Sequence, residues 1–81
     1  MEKIYIDPVD GRKSFYRKCY VIKDEDREVL YSYETPIILK DKNGNLTRLW
    51  DGWSMTTGRH IKAFAGLNKK EFLDLDYKEL Y

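Results

Sequence analysis

The sequence predicts an α+β fold in which a three- to four-stranded antiparallel sheet is packed on one face by a helix, with a short C-terminal helix added. Two observations predict it. Segments with the period-two alternation and the aromatic or β-branched content of strands fill the chain up to Trp50. Helical spacing and capping residues appear only after that point. This order, strands first and helices after them, is typical of the α+β class.

The length of 81 residues is that of one domain. We divide residues 1–81 into three parts. Residues 1–10 form an edge strand or an ordered arm, because the alternating Ile4-Tyr5-Ile6 is ended by Asp7-Pro8. Residues 14–50 form the antiparallel sheet, and residues 56–75 form the helical part.

The strands of the sheet are separated by turn residues. A strand is expected from Phe15 to Lys23, followed by a polar loop of hairpin length. The next strand, from Val29 to Tyr33, alternates so that Val29, Tyr31 and Tyr33 share one face. Thr35-Pro36 is expected to bend or interrupt the strand rather than to occupy its centre.

The strongest hairpin signal is Asn43-Gly44, which favours a type I′ turn because both central residues need positive φ. A strand from Leu46 to Trp50 follows this turn.

The helices are indicated by their caps. Thr56 or Thr57 is expected to be the N-cap of a helix that runs to about Ala65. Gly66 then suits a left-handed terminator. A second helix is expected to start at Asn68, where Asn-Lys-Lys-Glu has the spacing of a capping box.

The composition indicates a cytoplasmic protein. Charged residues make up 36% of the chain and apolar residues 42%, as in soluble globular proteins. Cys19 is the single cysteine, so no intrachain disulfide can form and a reducing compartment is expected. The N-terminus lacks the apolar run of a signal peptide, and no segment has the roughly 20 apolar residues that span a bilayer.

The sequence predicts no enzyme, because the groups needed for catalysis are scarce. His60 is the single histidine and Cys19 the single thiol, and neither lies in a nucleophile motif. The chain has no second cysteine or second histidine that could complete a metal site of the usual spacing. We therefore expect neither a catalytic residue nor a metal or other cofactor.

Protein docking is the function that the aromatic content favours. Aromatic residues make up 15% of the chain, and so small a domain cannot bury all of them. Trp50 and Trp53 flank an Asp51-Gly52 turn, and either one could belong to the core instead. Aromatic side chains dominate the energetics of protein interfaces. The predicted docking residues, for a protein partner or a second copy in a homodimer, are Trp50, Trp53, Tyr16, Tyr20, Tyr31 and Tyr33.

The alternative is direct binding of nucleic acid by a basic and aromatic sheet face. Basic residues would neutralise phosphates while aromatic rings stack on bases. A net charge of only +1 counts against this alternative, since such domains are usually strongly basic. The residues that would carry it are Arg12, Lys13, Arg17, Lys18 and Arg48.

The segment from Ser14 to Phe64 resembles a family of short uncharacterised proteins from Gram-positive bacteria and their phages. Three motifs carry the resemblance, and they are Val29-Leu30-Tyr31-Ser32-Tyr33, Leu49-Trp50-Asp51-Gly52-Trp53-Ser54 and Thr56-Thr57-Gly58-Arg59-His60-Ile61-Lys62-Ala63-Phe64. The resemblance implies a stand-alone cytoplasmic protein of a mobile element and supplies no catalytic residue. By analogy with other small phage proteins, the expected partner is a host defence complex such as a CRISPR nuclease.

Overall fold

In the part of the chain that the structure describes, five β-strands form one antiparallel sheet in the order of the sequence, and two helices follow them. The computed structural model describes residues 1–6 and 18–78. The elements are β1 (Glu2–Tyr5), β2 (Cys19–Lys23), β3 (Arg27–Ser32), β4 (Thr35–Asp41), β5 (Leu46–Arg48), α1 (Met55–Ala65) and α2 (Lys69–Leu73). The α+β fold is confirmed, with a sheet one strand wider than expected. The first part of the strand expected from Phe15 lies outside the described residues.

One face of the sheet packs against the helices. Leu30 of β3 lies between Val21 of β2 and Ile38 of β4 in the register of the sheet. These three side chains are buried in one cluster with Ile61 of α1 and Phe72 of α2. We call this side of the sheet the inner face, and it holds the hydrophobic core.

The alternation of side chains turns the neighbouring residues to the opposite side. Two cross-strand rows of the register lie there, and together they define the outer face: Tyr5, Tyr20 and Tyr31 in one row, and Lys3, Ile22, Val29 and Leu39 in the other. The outer face is therefore aromatic and aliphatic, with one lysine at its edge.

A β-bulge interrupts the register between β3 and β4. Leu30 pairs with Ile38, but Tyr31 pairs with Pro36, so Ile37 is an extra residue on β4. Both Ile37 and Ile38 are fully buried, as expected where a bulge turns consecutive side chains into the core. Pro36 was expected to bend or interrupt the strand. It lies instead near the start of the continuous strand β4, next to the register shift.

The turns differ from the expectation. The residues with positive φ at a two-residue hairpin are Tyr33 (56°) and Glu34 (86°), between β3 and β4. At the Asn43-Gly44 turn, only Gly44 has positive φ. The prediction of a type I′ turn at Asn43-Gly44 was therefore wrong.

The Asp41 side chain explains the different geometry at Gly44. Its Oδ1 accepts hydrogen bonds from the backbone N–H groups of Asn43 (2.8 Å) and Asn45 (2.9 Å). The Gly44 N–H donates to the Asp41 carbonyl at 3.0 Å. Such an aspartate at the first position favours a type I turn, after which glycine supplies the left-handed residue.

The first helix starts earlier than expected. Its N-cap is Ser54, whose Oγ accepts a hydrogen bond from the Thr57 N–H at 3.0 Å. The prediction of Thr56 or Thr57 as the cap was wrong, because both threonines lie within the first turn. The end at Ala65, with Gly66 left-handed at φ 73°, is confirmed. The capping box of Asn68 and Glu71 is confirmed at the start of α2.

The tail after α2 covers one edge of the sheet. The Arg48 N–H donates to the Asp76 carbonyl at 2.8 Å, and the Lys78 N–H donates to the Arg48 carbonyl at 2.9 Å. These bonds place Tyr77 beside Arg48 in a parallel bridge. Strand β5 is thus covered along this edge, and β1 forms the opposite edge among the described strands.

Candidate functional site

A row of three tyrosines, Tyr5, Tyr20 and Tyr31, crosses the outer face on β1, β2 and β3, and we call it the tyrosine ladder. The rings of Tyr20 and Tyr31 are parallel to within 4°, with centroids 5.2 Å apart. The Tyr5 ring meets Tyr20 at an angle of 66° and a centroid distance of 6.0 Å. Both arrangements are among those that aromatic pairs prefer.

Lys3 completes the packing of the ladder. Its Nζ lies 4.3 Å from the centroid of the Tyr20 ring and 5.2 Å from that of Tyr5. Because β1 and β3 flank β2 on opposite sides, the Lys3 ammonium and the Tyr31 ring approach Tyr20 from opposite sides. The Tyr20 ring therefore stands between two neighbours and cannot present a bare flat face to a ligand.

A recess of about 360 Å³ lies beside the ladder at the turn between β3 and β4. The described residues that line it are Lys3, Lys18, Tyr20, Tyr33 and Glu34. The Tyr33 N–H donates to the Lys18 carbonyl at 2.8 Å, which ties the turn to the start of β2. Two lysines, two tyrosines and one glutamate thus line one concave space.

The two tryptophans lie away from the ladder. Both are partly buried and pack against the core cluster of the inner face. The Trp53 ring lies 6.0 Å from Phe72 and so close over Gly58 that a Cβ there would approach Trp53 Cζ2 to 2.4 Å. The structure places the tryptophans and the tyrosine ladder on different sides of the sheet, so the six predicted docking residues do not form one surface.

Tyr33 is separated from the ladder as well. It lies in the turn rather than in β3, and its ring centroid is 5.8 Å from that of His60. The side chain is 54% exposed, so it both covers the histidine and faces solvent. Tyr16, the remaining predicted docking residue, lies outside the described residues.

The basic residues of the nucleic-acid alternative are also divided. Arg48 belongs to the inner face, where its guanidinium lies 5.2 Å from the Tyr77 ring and 3.2 Å from the Asp51 carboxylate. It holds the tail against β5 and does not reach the outer face. Lys18 is exposed beside the recess. Arg12, Lys13 and Arg17 lie outside the described residues.

A buried polar cluster was missed by the sequence reasoning. Ser32 Oγ lies 2.8 Å from His60 Nδ1 and 3.1 Å from Thr57 Oγ1, and all three residues are less than 8% exposed. Two signals could have revealed it. Ser32 follows Leu30 on the inward face of β3, and Thr57 and His60 have the i, i+3 spacing of one helical face.

The chemistry of this cluster is that of a neutral core network. Burial, and then the positive charge of Arg59, lower the pKa of His60 to about 4. Cys19 lies opposite Ser32 in the register, and burial raises the pKa of its thiol to about 12. A neutral imidazole and a protonated thiol at neutral pH favour a structural role for this cluster.

Neither a metal cluster nor a membrane helix is found in the part of the chain that the structure describes. No three His, Cys, Asp or Glu side chains lie together as metal ligands among residues 1–6 and 18–78. Neither α1 nor α2 has the length or the apolar character needed to cross a bilayer.

The profile of a family of unknown function, DUF8033, matches residues 5–79. No curated protein and no solved structure matches the chain.

Proposed function

The chain belongs to DUF8033, a family of unknown function, and we propose that it is a small non-enzymatic binding protein that docks on a protein partner through the outer face of its sheet. The composition of that face supports the proposal. Tyrosine is enriched at protein interfaces and combines an apolar ring with a polar tip. The ladder supplies such rings next to the aliphatic Ile22 and Leu39, both partly buried.

The observation that carries the proposal is the stacking of Tyr20 between Tyr31 and Lys3. Side chains that are already packed lose little conformational freedom when a partner binds, and this preorganisation raises affinity. Tyr20 keeps part of its side chain exposed on this face, and tyrosine offers a partner both an apolar ring and a hydroxyl group that can form hydrogen bonds.

The same observation favours a protein over nucleic acid. Bases bind to aromatic side chains by stacking on a flat ring face. The two faces of Tyr20 are occupied, and Arg48 is held on the inner face by Asp51 and Tyr77. Base stacking on the centre of the ladder would require the rings to separate first.

The place of action and the partner's identity are further parts of the proposal. The buried, protonated thiol of Cys19 suits the reducing cytoplasm. That the partner is a host defence complex, such as a CRISPR nuclease met by a phage, is supported only by the family resemblance noted above.

Capture of the partner tests the proposal. The purified chain would be immobilised, exposed to nuclease-treated lysate of the cells that encode it, and compared with Tyr20→Ser and Tyr77→Ser. Tyr77 is a matched control because it is a 43% exposed tyrosine beside Arg48 on the covered edge. The captured protein is then purified and its affinity for all three chains measured by calorimetry.

We expect Tyr20→Ser to weaken binding of the purified partner by about 2 kcal/mol or more, the scale of an interface hot spot, and Tyr77→Ser to leave it within about 0.5 kcal/mol. Equal affinities for wild type and Tyr20→Ser would contradict the proposal. Retention of a single-stranded oligonucleotide, lost in Tyr20→Ser and steeply dependent on salt, would favour the nucleic-acid alternative.

A further inference from the structure

The recess beside the tyrosine ladder carries a charge imbalance. Its described lining contains the side chains of Lys3 and Lys18 against the single carboxylate of Glu34. Where both partners belong to residues 1–6 and 18–78, the ion pairs within 4 Å are Arg27–Asp24 and Arg48–Asp51, away from this recess. Two lysines against one glutamate give the described lining a net positive charge, which attracts a negatively charged ligand group.

The recess is built from parts that are already positioned. The Lys3 ammonium is held 4.3 Å from the Tyr20 ring centroid. The Tyr33 N–H donates to the Lys18 carbonyl at 2.8 Å, which fixes the turn against the start of β2. Tyr20 and Tyr33 also line the recess, and tyrosine hydroxyl groups can donate hydrogen bonds.

The backbone of the turn supports a role for its side chains. Tyr33 and Glu34 adopt positive φ angles of 56° and 86°, at which glycine or asparagine is the residue without strain. A two-residue hairpin turn of type I′ requires positive φ at both positions, and strained non-glycine residues of this kind also cluster at binding sites. Tyr33 packs on His60, whereas Glu34 is exposed at the mouth of the recess.

Size and charge favour a carboxylate over a nucleic-acid backbone. A volume of about 360 Å³ accommodates an acidic side chain together with water. Glu34 would repel a chain of phosphates more strongly than a single carboxylate, and the occupied faces of Tyr20 offer no stacking position for the attached bases.

We propose that this recess binds the side-chain carboxylate of an acidic segment of the partner protein. Lys3, Lys18 and the hydroxyl groups of Tyr20 and Tyr33 donate hydrogen bonds to that carboxylate. This proposal rests on the docking function proposed above and names the chemistry of the partner. In this proposal Lys3 and Lys18 strengthen the binding of acidic ligands, whereas Glu34 weakens it. Glu34 thereby makes the recess selective among acidic ligands.

The test uses nuclear magnetic resonance of the ¹⁵N-labelled full chain. The probe is a hexaglutamate peptide with both ends capped, and the reference is the capped hexaglutamine peptide. We expect hexaglutamate to shift the amide signals of Lys18, Tyr20 and Glu34, and capped hexaglutamine to leave them unchanged. A hexaglutamine peptide with an uncapped C-terminus carries a carboxylate only at its end. Amide shifts caused by this peptide would therefore indicate binding of a terminal carboxylate rather than a side-chain carboxylate.

Three variants locate the site. Lys18→Gln is expected to weaken binding of hexaglutamate by roughly two- to fivefold, the scale of an exposed ion pair, and Glu34→Gln to strengthen it by a similar factor. The matched control is Lys70→Gln, an exposed lysine on α2, which should leave binding unchanged. Each variant's amide spectrum verifies that it folds.

The proposal would be overturned if hexaglutamate shifted no signals around the recess, or if Lys70→Gln weakened binding as much as Lys18→Gln. It would also be overturned by a thymidine octanucleotide that shifted the same signals and bound more tightly. If these results came while capture of the partner still required Tyr20, only the carboxylate site would fail. If capture did not require Tyr20, the docking function would fail whatever the peptide did.

Discussion

His60 is a titratable residue in the core of the protein. Its imidazole is 1% exposed and bonded to Ser32, so protonation would place a charge in the core. Burial and the neighbouring Arg59 lower the pKa of His60 from 6.5 to about 4. The free energy of unfolding should therefore depend on pH between about 6.5 and 4.

The sign of that dependence follows from proton uptake. Between pH 6.5 and 4 the unfolded chain binds a proton at His60 and the folded chain does not, so stability falls as the pH is lowered. We expect a loss of up to about 1.4 kcal/mol per pH unit in this window. Urea unfolding at a series of pH values measures it.

His60→Gln is the control for this prediction, since glutamine can bond to Ser32 but does not titrate. The variant should be less stable at pH 7 and show a flatter profile between pH 6.5 and 4. Asp24 and Asp41 do not account for the pH dependence between pH 6.5 and 4, because the pKa of each carboxyl is lowered below 3.8. The main cause is a backbone N–H group, that of Asp26 for Asp24 and that of Asn45 for Asp41. Parallel profiles for wild type and variant would contradict the assignment.

At the scale of elements, the sequence predicts well what local chemistry decides. The strand alternation of β3, the end of α1 at Gly66 and the capping box at Asn68 all follow from neighbouring residues. It fails where distant contacts decide. The positive φ angles of Tyr33 and Glu34 depend on the bond from Tyr33 to the Lys18 carbonyl and on packing against His60.

The two hairpins give opposite predictions for glycine. Glu34→Gly removes the side chain that disfavours φ 86°, so it should raise the free energy of unfolding by about 1 kcal/mol. Gly44→Ala introduces a side chain at φ 87° and should lower it by about the same amount. Thermal unfolding measures both. A destabilised Glu34→Gly would show that the Glu34 side chain contributes contacts that outweigh its backbone strain.

Helix α1 contains a position where packing opposes helix propensity. Gly58→Ala should favour the helix by about 1 kcal/mol, but the new Cβ would lie 2.4 Å from the Trp53 ring. Displacing that ring costs roughly 1–3 kcal/mol, so we expect a net loss of stability and a changed tryptophan fluorescence.

The control for Gly58 is Thr56→Ala, on the exposed side of the same helix. This variant should unfold at the same urea concentration as wild type or slightly above it, since alanine favours a helix more than threonine. A Gly58→Ala chain more stable than wild type would mean that the Trp53 ring moves aside without cost.

At the scale of the whole molecule, the sheet divides the aromatic residues into two groups. Tyr20 and Tyr31 fall on the outer face, as the excess of rings over core volume indicates, whereas Trp50 and Trp53 pack on the helix side. The sequence could not assign the tryptophans, because the strand expected from Leu46 to Trp50 ends at Arg48, and Trp53 lies in a segment without strand or helix periodicity. The position of Arg48 depended likewise on a tail bridge formed 29 residues later.

The most direct test of outer-face docking is hydroxyl-radical footprinting of the wild-type chain, free and bound to its purified partner. Oxidation rates of individual tyrosines and tryptophans report which side chains become covered. Docking on the outer face predicts strong protection of Tyr20 and Tyr31, with Tyr77 and Trp53 oxidised at unchanged rates. Protection of Tyr77 or Trp53 with Tyr20 and Tyr31 unaffected would contradict it.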